Sequence, residues 1–342
     1  MDVTVAASLV VERGNERLEL PVVGGDVSVK ALDDGVDDLI MDVQVPYTVD
    51  GVDVTPSRFG DLLSGAGETM FIEWTVTRGS RVDTFRTGLC VLETCEPDGA
   101  VLHVTGHGLL SRVRAHERRA AVQYGTAQRA VDAVRAILAE DNIETVVAGD
   151  VPRVAIPHGW IAGTDRWGSL VELVQSVPAV LRQVGRVVEV RAGLEPPETS
   201  EMTLRDGDGG TVVDVPRQFV REDRPNHVIV RGTVPDGPDF AVEAVESRGQ
   251  FAPEVYGWVT AETVESSAVT SRAQAGLVAR NRLYELSRQA HTLRVRAVMD
   301  WGMALDKSVL VATVDGEWLG RVTGIEWPAD GVGEMLVEVA VA

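Results

Sequence analysis

His103 and His107 are four residues apart, a spacing that on a helix sets two imidazoles on one metal-facing side. Their segment, Val101–Thr105, reads instead as a strand, where the same spacing separates them by roughly 13 Å. No Glu stands between them in the metalloprotease arrangement. A second candidate is Asp206-Gly207-Asp208-Gly209-Gly210 with Asp214 behind it, which offers carboxylates at the first, third and ninth places of a calcium loop. The sixth place holds Thr211 where Gly is needed, and the last holds Arg217 where a bidentate Glu is needed. A guanidinium there repels the ion, so the segment is expected to be a Gly-rich loop.

The remaining candidates fare no better. Arg112, Arg114, His116, Arg118 and Arg119 form a basic run without the interleaved aromatics that stack bases. It is expected to be a solvated connector or a salt-bridge patch. Ser, His and Asp are all present, but no Gly-x-Ser-x-Gly elbow occurs. Among 52 acidic residues, proximity in sequence selects no glycosidase pair. Trp160, Trp167, Trp258, Trp301, Trp318 and Trp327 would line a sugar groove if gathered. Scattered over separate strands and bends, they are expected to be core or interface anchors. Cys90 and Cys95 lack the partners of a structural zinc site, and odd spacing in one strand places them on opposite faces. They are expected to be small buried residues. No catalytic, cofactor-binding or metal-ligating residue is therefore assigned, and the chain is expected not to be an enzyme.

The chain has 342 residues, 44% hydrophobic and 25% charged, enough for two or three domains with their own cores. Its net charge of −20 repels nucleic acid and anionic membranes. Lys30 and Lys307 are the two lysines among 32 basic residues; Arg-rich usage fits a GC-rich coding bias. No apolar run reaches the length of a membrane span. The start, Met1-Asp2-Val3-Thr4, is acidic and strand-like, which argues against a signal peptide.

These residues sit on elements that change character along the chain. The first stretch, to about Val113, reads as strands Val3–Val11, Arg17–Pro21, Asp26–Leu32, Met41–Val45, Met70–Arg78, Arg81–Leu92 and Ala100–Thr105, with turns at Gly and Asp. From Gly125 the period becomes helical over Ala127–Ala139, with Thr126 as N-cap and Asn142 as left-handed stop. Strand Ile143–Ala148 follows. Trp167, Leu170, Val171 and Val174 then make a second helical stripe, and Val180–Val184 and Val187–Arg191 a hairpin. Leu194–Glu201 reads as a linker. The last stretch, from about Asn226, has strands Val228–Gly232 and Phe240–Glu246. A long helix follows, opened by Ser271 with Gln274 in capping-box register and striped by Gly276, Ala279, Leu283 and Leu286. Strands Thr292–Met299, Val309–Val314, Trp318–Ile325 and Met335–Val341 close the chain.

Four stretches, in order, resemble the baseplate-hub or tail-tip-hub proteins of long-tailed bacteriophages, often called minor tail proteins. They are Asp42–Tyr47 with the meander through Phe85–Leu89 to Val104–Leu110, the helix Ala127–Ala139 with Trp167–Leu173, Arg221–Gly232, and the Ala-rich helix with Leu305–Leu310. The resemblance implies a mainly β fold with α+β parts: two tube-like β-barrel domains (1–113 and 201–342) flanking an inserted α/β domain (114–200). It further implies a homotrimer that adapts a sixfold tail tube to a threefold tip. Tail-tube or distal tail protein would lie above, tip or fibre proteins below, and DNA would pass without specific binding. Such a protein is made in the host cytoplasm and resides in the virion. The two terminal domains are expected to superpose through roughly 60°, and part of the negative charge is expected to line a channel. No appended module follows, so host binding and wall digestion would fall to other subunits. The alternative is a receptor- or carbohydrate-binding tail protein that uses its tryptophans.

Overall fold

The computed structural model describes residues 3–124, 129–156, 160–216, 225–234, 237–247, 252–290 and 292–341. Thr126, Ala127, Arg217 and Arg221–Arg224, singled out above, lie outside the described residues. The first stretch supplies strands β1 (Val3–Arg13), β2 (Glu16–Pro21), β3 (Gly24–Ala31) and β4 (Asp37–Pro46). After them come a small hairpin, β5 (Thr48–Val49) and β6 (Val52–Asp53), and then β7 (Thr69–Arg78), β8 (Arg81–Arg86), β9 (Cys90–Asp98) and β10 (Val101–Gly108). Burial alternates residue by residue in β4 and β10, as expected for strands with one face on a core. Asp50 and Gly51 both adopt positive φ, turning the small hairpin as Asp-Gly favours.

The middle stretch begins with α1 (Ser111–Ala115), β11 (Val122–Gln123), α2 (Ala130–Ala139) and β12 (Glu144–Ala148), and continues through β13 (Ile161–Ala162), α3 (Arg166–Ser176), β14 (Ala179–Val184) and β15 (Val187–Ala192). Asn142 takes the left-handed conformation at φ 57°, and Asp165 caps α3 by accepting from the Gly168 N–H at 2.9 Å. The order β12-β15-β14 makes a small sheet whose core, with Ile137, Leu170 and Leu181, also takes in Val10, Phe71 and Leu89 of the first stretch. The inserted unit is thus docked on the β-strands.

The last stretch holds β16 (Met202–Arg205), β17 (Val212–Asp214), β18 (His227–Thr233), β19 (Asp239–Val245), α4 (Pro253–Tyr256), β20 (Ala261–Glu265) and α5 (Arg272–Ala290). It ends with β21 (Thr292–Val298), β22 (Ser308–Thr313), β23 (Gly316–Pro328) and β24 (Glu334–Val341). Strands β19-β18-β20 form their own sheet, against which α5 buries Val278, Ala279 and Leu283. The cap of α5 forms as its residues dictate: Ser271 Oγ accepts from the Gln274 N–H at 3.2 Å. Gln274 Oε1 accepts from the Thr270 N–H, and its amide reaches the Ser176 carbonyl at the end of α3.

Three expectations need correction. The two ends do not form two separate closed barrels. Strand β3 pairs antiparallel with β23, so one sheet runs in the order β17-β21-β24-β23-β3-β4-β10-β9-β7-β1-β2, and no closed barrel forms among the described residues. The seam holds because it is also packed. Trp74 Nε1 donates to the Ala329 carbonyl at 2.9 Å, Trp74 and Trp327 lie 6.4 Å apart, and Phe85 stacks on Trp301 at 5.5 Å. Second, Arg81–Leu92 is not one strand. It breaks at Thr87–Leu89, where the Thr87 hydroxyl accepts from the Ile72 N–H and donates to the Gly88 carbonyl. Strand β8 stays on β7 while β9 crosses to β10. Third, Cys90 and Cys95 do not diverge. A bulge at Glu93 shifts the register of β9 on β10, and a bulge resets the alternation, so both thiols meet the same core cluster. They are free cysteines, and burial pushes the Cys95 thiol up to about 11.

One strand order occurs twice. The run β3-β4-β10-β9-β7 is matched, in the same chain order, by β17-β21-β24-β23-β22, every neighbouring pair antiparallel. Even the bulge recurs, at Glu93 in β9 and at Thr323 in β23. The copies part company beyond: β1 joins β7 antiparallel, whereas β16 joins β22 parallel. At Gly106, opposite the first bulge, a Cβ would stand 2.4 Å from the Val91 carbonyl oxygen, so only glycine permits this approach.

Candidate functional site on the acidic sheet face

Alternation along the strands turns one face of the long sheet to solvent. From β21 to β9 this face carries Glu334 and Glu338 of β24, Glu326 of β23, Asp26 of β3, Asp38 and Asp42 of β4, and Glu93, Glu96 and Asp98 of β9. Against these carboxylates it sets Lys30, Arg294 and Arg296. Lys30 and Arg294 are held by one acid: Glu338 accepts from both at 3.1 Å. Asp26 and Asp42 stand directly opposite each other in the β3·β4 ladder. Partial burial, with Asp42 and Asp330 nearby, raises the Asp26 carboxyl above its usual range.

His103 and His107 lie on this face of β10. His103 has Asp42 3.8 Å from Nδ1 and Asp98 3.4 Å from Nε2, and His107 has Asp38 at 3.9 Å and Glu93 at 3.6 Å on its two nitrogens. Each imidazole is bracketed by carboxylates on opposite edges, from β4 and from β9. Acids placed on opposite ring nitrogens do not converge on one ion. The Asp206 segment turns β16 into β17 through Gly207 and Gly209, both at positive φ, and Asp206 Oδ2 accepts from the Val314 N–H. Among the described residues no group of three or more His, Cys, Asp or Glu could hold a metal.

Two members of the basic run are held in ion pairs and a third by an aromatic ring. Arg118 forms a forked pair with Glu140, His116 meets Asp141 at 3.1 Å, and Arg114 lies 4.3 Å over the Trp167 ring. The tryptophans are dispersed. Trp160 is buried and donates to Glu172, Trp318 joins the core of the last stretch, and Trp301 and Trp327 sit at the seam. Trp258, partly exposed, leans on Tyr256 at 4.6 Å.

Sequence reasoning missed a buried junction beneath the acidic face. Arg182 of β14 forms a two-pronged pair with Asp306, at 2.7 and 3.0 Å. Its remaining nitrogen donates to the Gly35 and Leu181 carbonyls. Beside it Asp37, 4% exposed, accepts from the Gln183 N–H at 2.7 Å. The three charged groups come from the three stretches of chain. The one signal in the sequence was faint, an Arg directly after the apolar pair Val180-Leu181; the left-handed backbone of Asp306, φ 68°, is seen only in the structure.

Burial pushes the Asp37 carboxyl up to about 6, against the opposing pull of Arg182 and the Gln183 N–H. The folded protein therefore holds this proton more tightly than the unfolded chain. The stability that the proton confers is complete below about pH 4 and is lost as pH rises through about 6. A shift of that size corresponds to about 3 kcal/mol. The substitution Asp37→Asn should remove this dependence. Urea unfolding from pH 4 to 7 should show the Asp37→Asn variant gaining on the parent by about 2–3 kcal/mol; a constant difference across the range would refute the assignment.

No family model matches the chain, and no curated protein matches it in sequence. Solved structures do match its fold over nearly the full length. The tail protein from Neisseria meningitidis aligns with a TM-score of 0.66 at 13% identity, covering 97% of this chain and 96% of that one. The 43 kDa tail protein of prophage MuSo2 from Shewanella oneidensis gives 0.58 at 11%, covering 97% and 98%. The prophage tail protein gp18 from Listeria monocytogenes gives 0.55 at 11%, covering 97% and 94%. This chain therefore has the fold of phage and prophage tail proteins.

Proposed function

We propose that this chain is a structural protein of a phage tail, acting as a trimeric baseplate or tail-tip hub. The observation that carries the reading is the repeated strand order within one chain. Two repeats per chain, in three chains, present six similar units to a sixfold tube. The divisions 1–113, 114–200 and 201–342 then serve as first tube-like unit, inserted unit and second tube-like unit. The fold of tail proteins supports the same role. The chain works without catalysis, cofactor or metal, resides in the virion, and meets tube or distal tail proteins above and tip or fibre proteins below.

In this reading the acidic face lines the DNA channel. Three copies carry 3 × −20 = −60 charges. A basic wall would pair with phosphates and hold the strand by counterion release, whereas an acidic wall lets the polyanion slide. At physiological salt the repulsion reaches about 8 Å, so the carboxylates must face the lumen to act. Sedimentation equilibrium should give about 110 kDa, three times the 36.8 kDa chain; a monomer at every concentration would end the hub reading. Particles assembled with Asp26, Asp42 and Glu96 all changed to Lys should stall in DNA ejection. Ejection at the unaltered rate would remove the channel role.

A further inference from the structure

Four main-chain amides seat the hairpin of β14 and β15, part of the inserted unit, on the rest of the chain. The Gln183 N–H donates to Asp37 at 2.7 Å, and the Leu181 N–H donates to the Gly35 carbonyl at 2.9 Å. In the other direction, the Leu89 N–H donates to the Gly185 carbonyl at 2.9 Å and the Leu109 N–H to Gln183 Oε1 at 2.7 Å. The fit is close: a Cβ at Gly108 would stand 2.7 Å from Gln183 Oε1. Asp37 belongs to β4 and accepts from β14, so its charge bears directly on whether the hairpin stays seated.

Buried charge is out of balance at this seat. Arg182, Asp37, Asp306 and Glu285 are each less than one-tenth exposed, and all three carboxyls act on the Arg182 guanidinium. Three buried acids thus face one buried base. The cations at the rim are engaged elsewhere. Arg191 stands 3.8 Å from Asp306 but pairs with Glu189 at 2.7 Å. Arg282 stands 3.7 Å from Glu285 but pairs with Glu262 at 2.6 Å and donates to the Asp33 carbonyl. Arg321 donates to the Asp306 and Glu195 carbonyls, and Arg114 acts on the half-buried Asp34. Like charges taken out of water are costly, and a proton on one carboxyl relieves the excess. Burial drives Asp37 up to about 6, which marks it as the carboxyl that takes the proton.

We infer that Asp37 is a proton-operated latch: protonated, it keeps β14 seated, and ionised, it lets the four-amide seat open and uncouples the inserted unit from the long sheet. The opening is local. Ile137, Leu170 and Val188 hold the unit's own core together while the hairpin leaves its seat. Water has a way in through a crevice lined by Asp34, Gly35, Gln175, Ala179, Asn281 and Glu285. In the open state the Asp37 carboxyl meets water and returns to the ordinary range near 4. The closed seat therefore binds the proton more tightly than the open one, so opening is least favoured below about pH 4 and grows as pH rises through about 6. Two pKa units bound the gain at about a hundredfold in the opening equilibrium. The latch lies within one chain and does not depend on the hub reading.

Residue-resolved amide exchange from pH 4 to 7, with the intrinsic rates divided out, tests it on the unchanged protein. Exchange at Leu89, Leu109, Leu181 and Gln183 should rise together by roughly 50-fold across that range. At pH 7 these four should run ahead of the β14·β15 and β3·β4 ladders, as a sub-global opening does. Asp37→Asn should hold all four at their low-pH protection. Asp34→Asn, which changes the half-buried neighbour, should leave the rise intact. Four amides that exchange only at the pace of the two ladders, or whose protection is constant with pH in the unchanged protein, would overturn the latch. Loss of the rise in Asp34→Asn would overturn its assignment to Asp37.

Discussion

Replacing Arg182 with Ala should cost about 3–5 kcal/mol of stability, the range seen when one partner of a buried ion pair is removed. The guanidinium is 2% exposed at the residue level, so water does not replace it. Its loss removes the forked partner of the Asp306 carboxylate and one of the two donors to the Gly35 carbonyl, which keeps the Leu181 N–H. Asp37 also loses the cation that opposes the upward pull of burial on its pKa. Arg191, 3.8 Å from Asp306, offsets part of the loss. Arg182→Lys keeps the charge but not the fork and should fall between parent and Ala. The double variant Arg182→Met, Asp306→Asn should be more stable than the sum of its single changes, because residue 306 then carries no charge that has lost its partner. Urea unfolding of these proteins, together with the single variants Arg182→Met and Asp306→Asn, checks this. A cost under 1 kcal/mol for Ala, or strict additivity in the double variant, would show that the junction does not tie the three stretches together.

What the sequence made legible was local. Alternation placed β1, β2, β7, β10 and β24 within a few residues of their observed bounds, because part of each strand has one face on a core and one in water, although residues 9–11 of β1 and 70–72 of β7 are buried on both faces. Helical spacing found α2, α3 and α5 for the same reason, and Asn142 and Ser271 marked their ends as their backbone and side-chain chemistry requires. What it hid was partnership. The strand patterns of β3 and β23 hold nothing that names the other, since main-chain pairing is blind to side-chain identity, and the two meet across almost the whole chain. The bulge at Glu93 was hidden for a related reason. One extra residue in a ladder depends on the partner strand, and it turned Cys95 back to the core against simple alternation. The candidate face followed the same division. His103 and His107 were read correctly as strand residues four apart. The carboxylates that bracket them come from β4 and β9, and only the ladder brings these together.

The seam between the two repeats should be as sensitive as the buried junction, and Trp74 is its centre. Truncating a buried Trp to Ala typically costs about 3–5 kcal/mol through lost contacts and the cavity left behind. Here the indole is 3% exposed and also donates to Ala329 in β23's following turn, so Trp74→Ala strands a buried carbonyl as well. That adds about 1–3 kcal/mol and places the expected loss at the upper end of the range. Trp74→Phe separates the two contributions: it keeps most of the ring but removes the donor, and should cost about 1–3 kcal/mol. The effect should also be directional. Trp74 belongs to β7, whereas the carbonyl and Trp327 belong to the last stretch. Amide exchange should therefore accelerate first along the β3·β23 ladder, before the β1·β7 ladder that runs through Trp74 itself. Equal acceleration in both ladders would mean that the ring supports only its own strand pair. The union of the two repeats would then rest on their main-chain pairing alone.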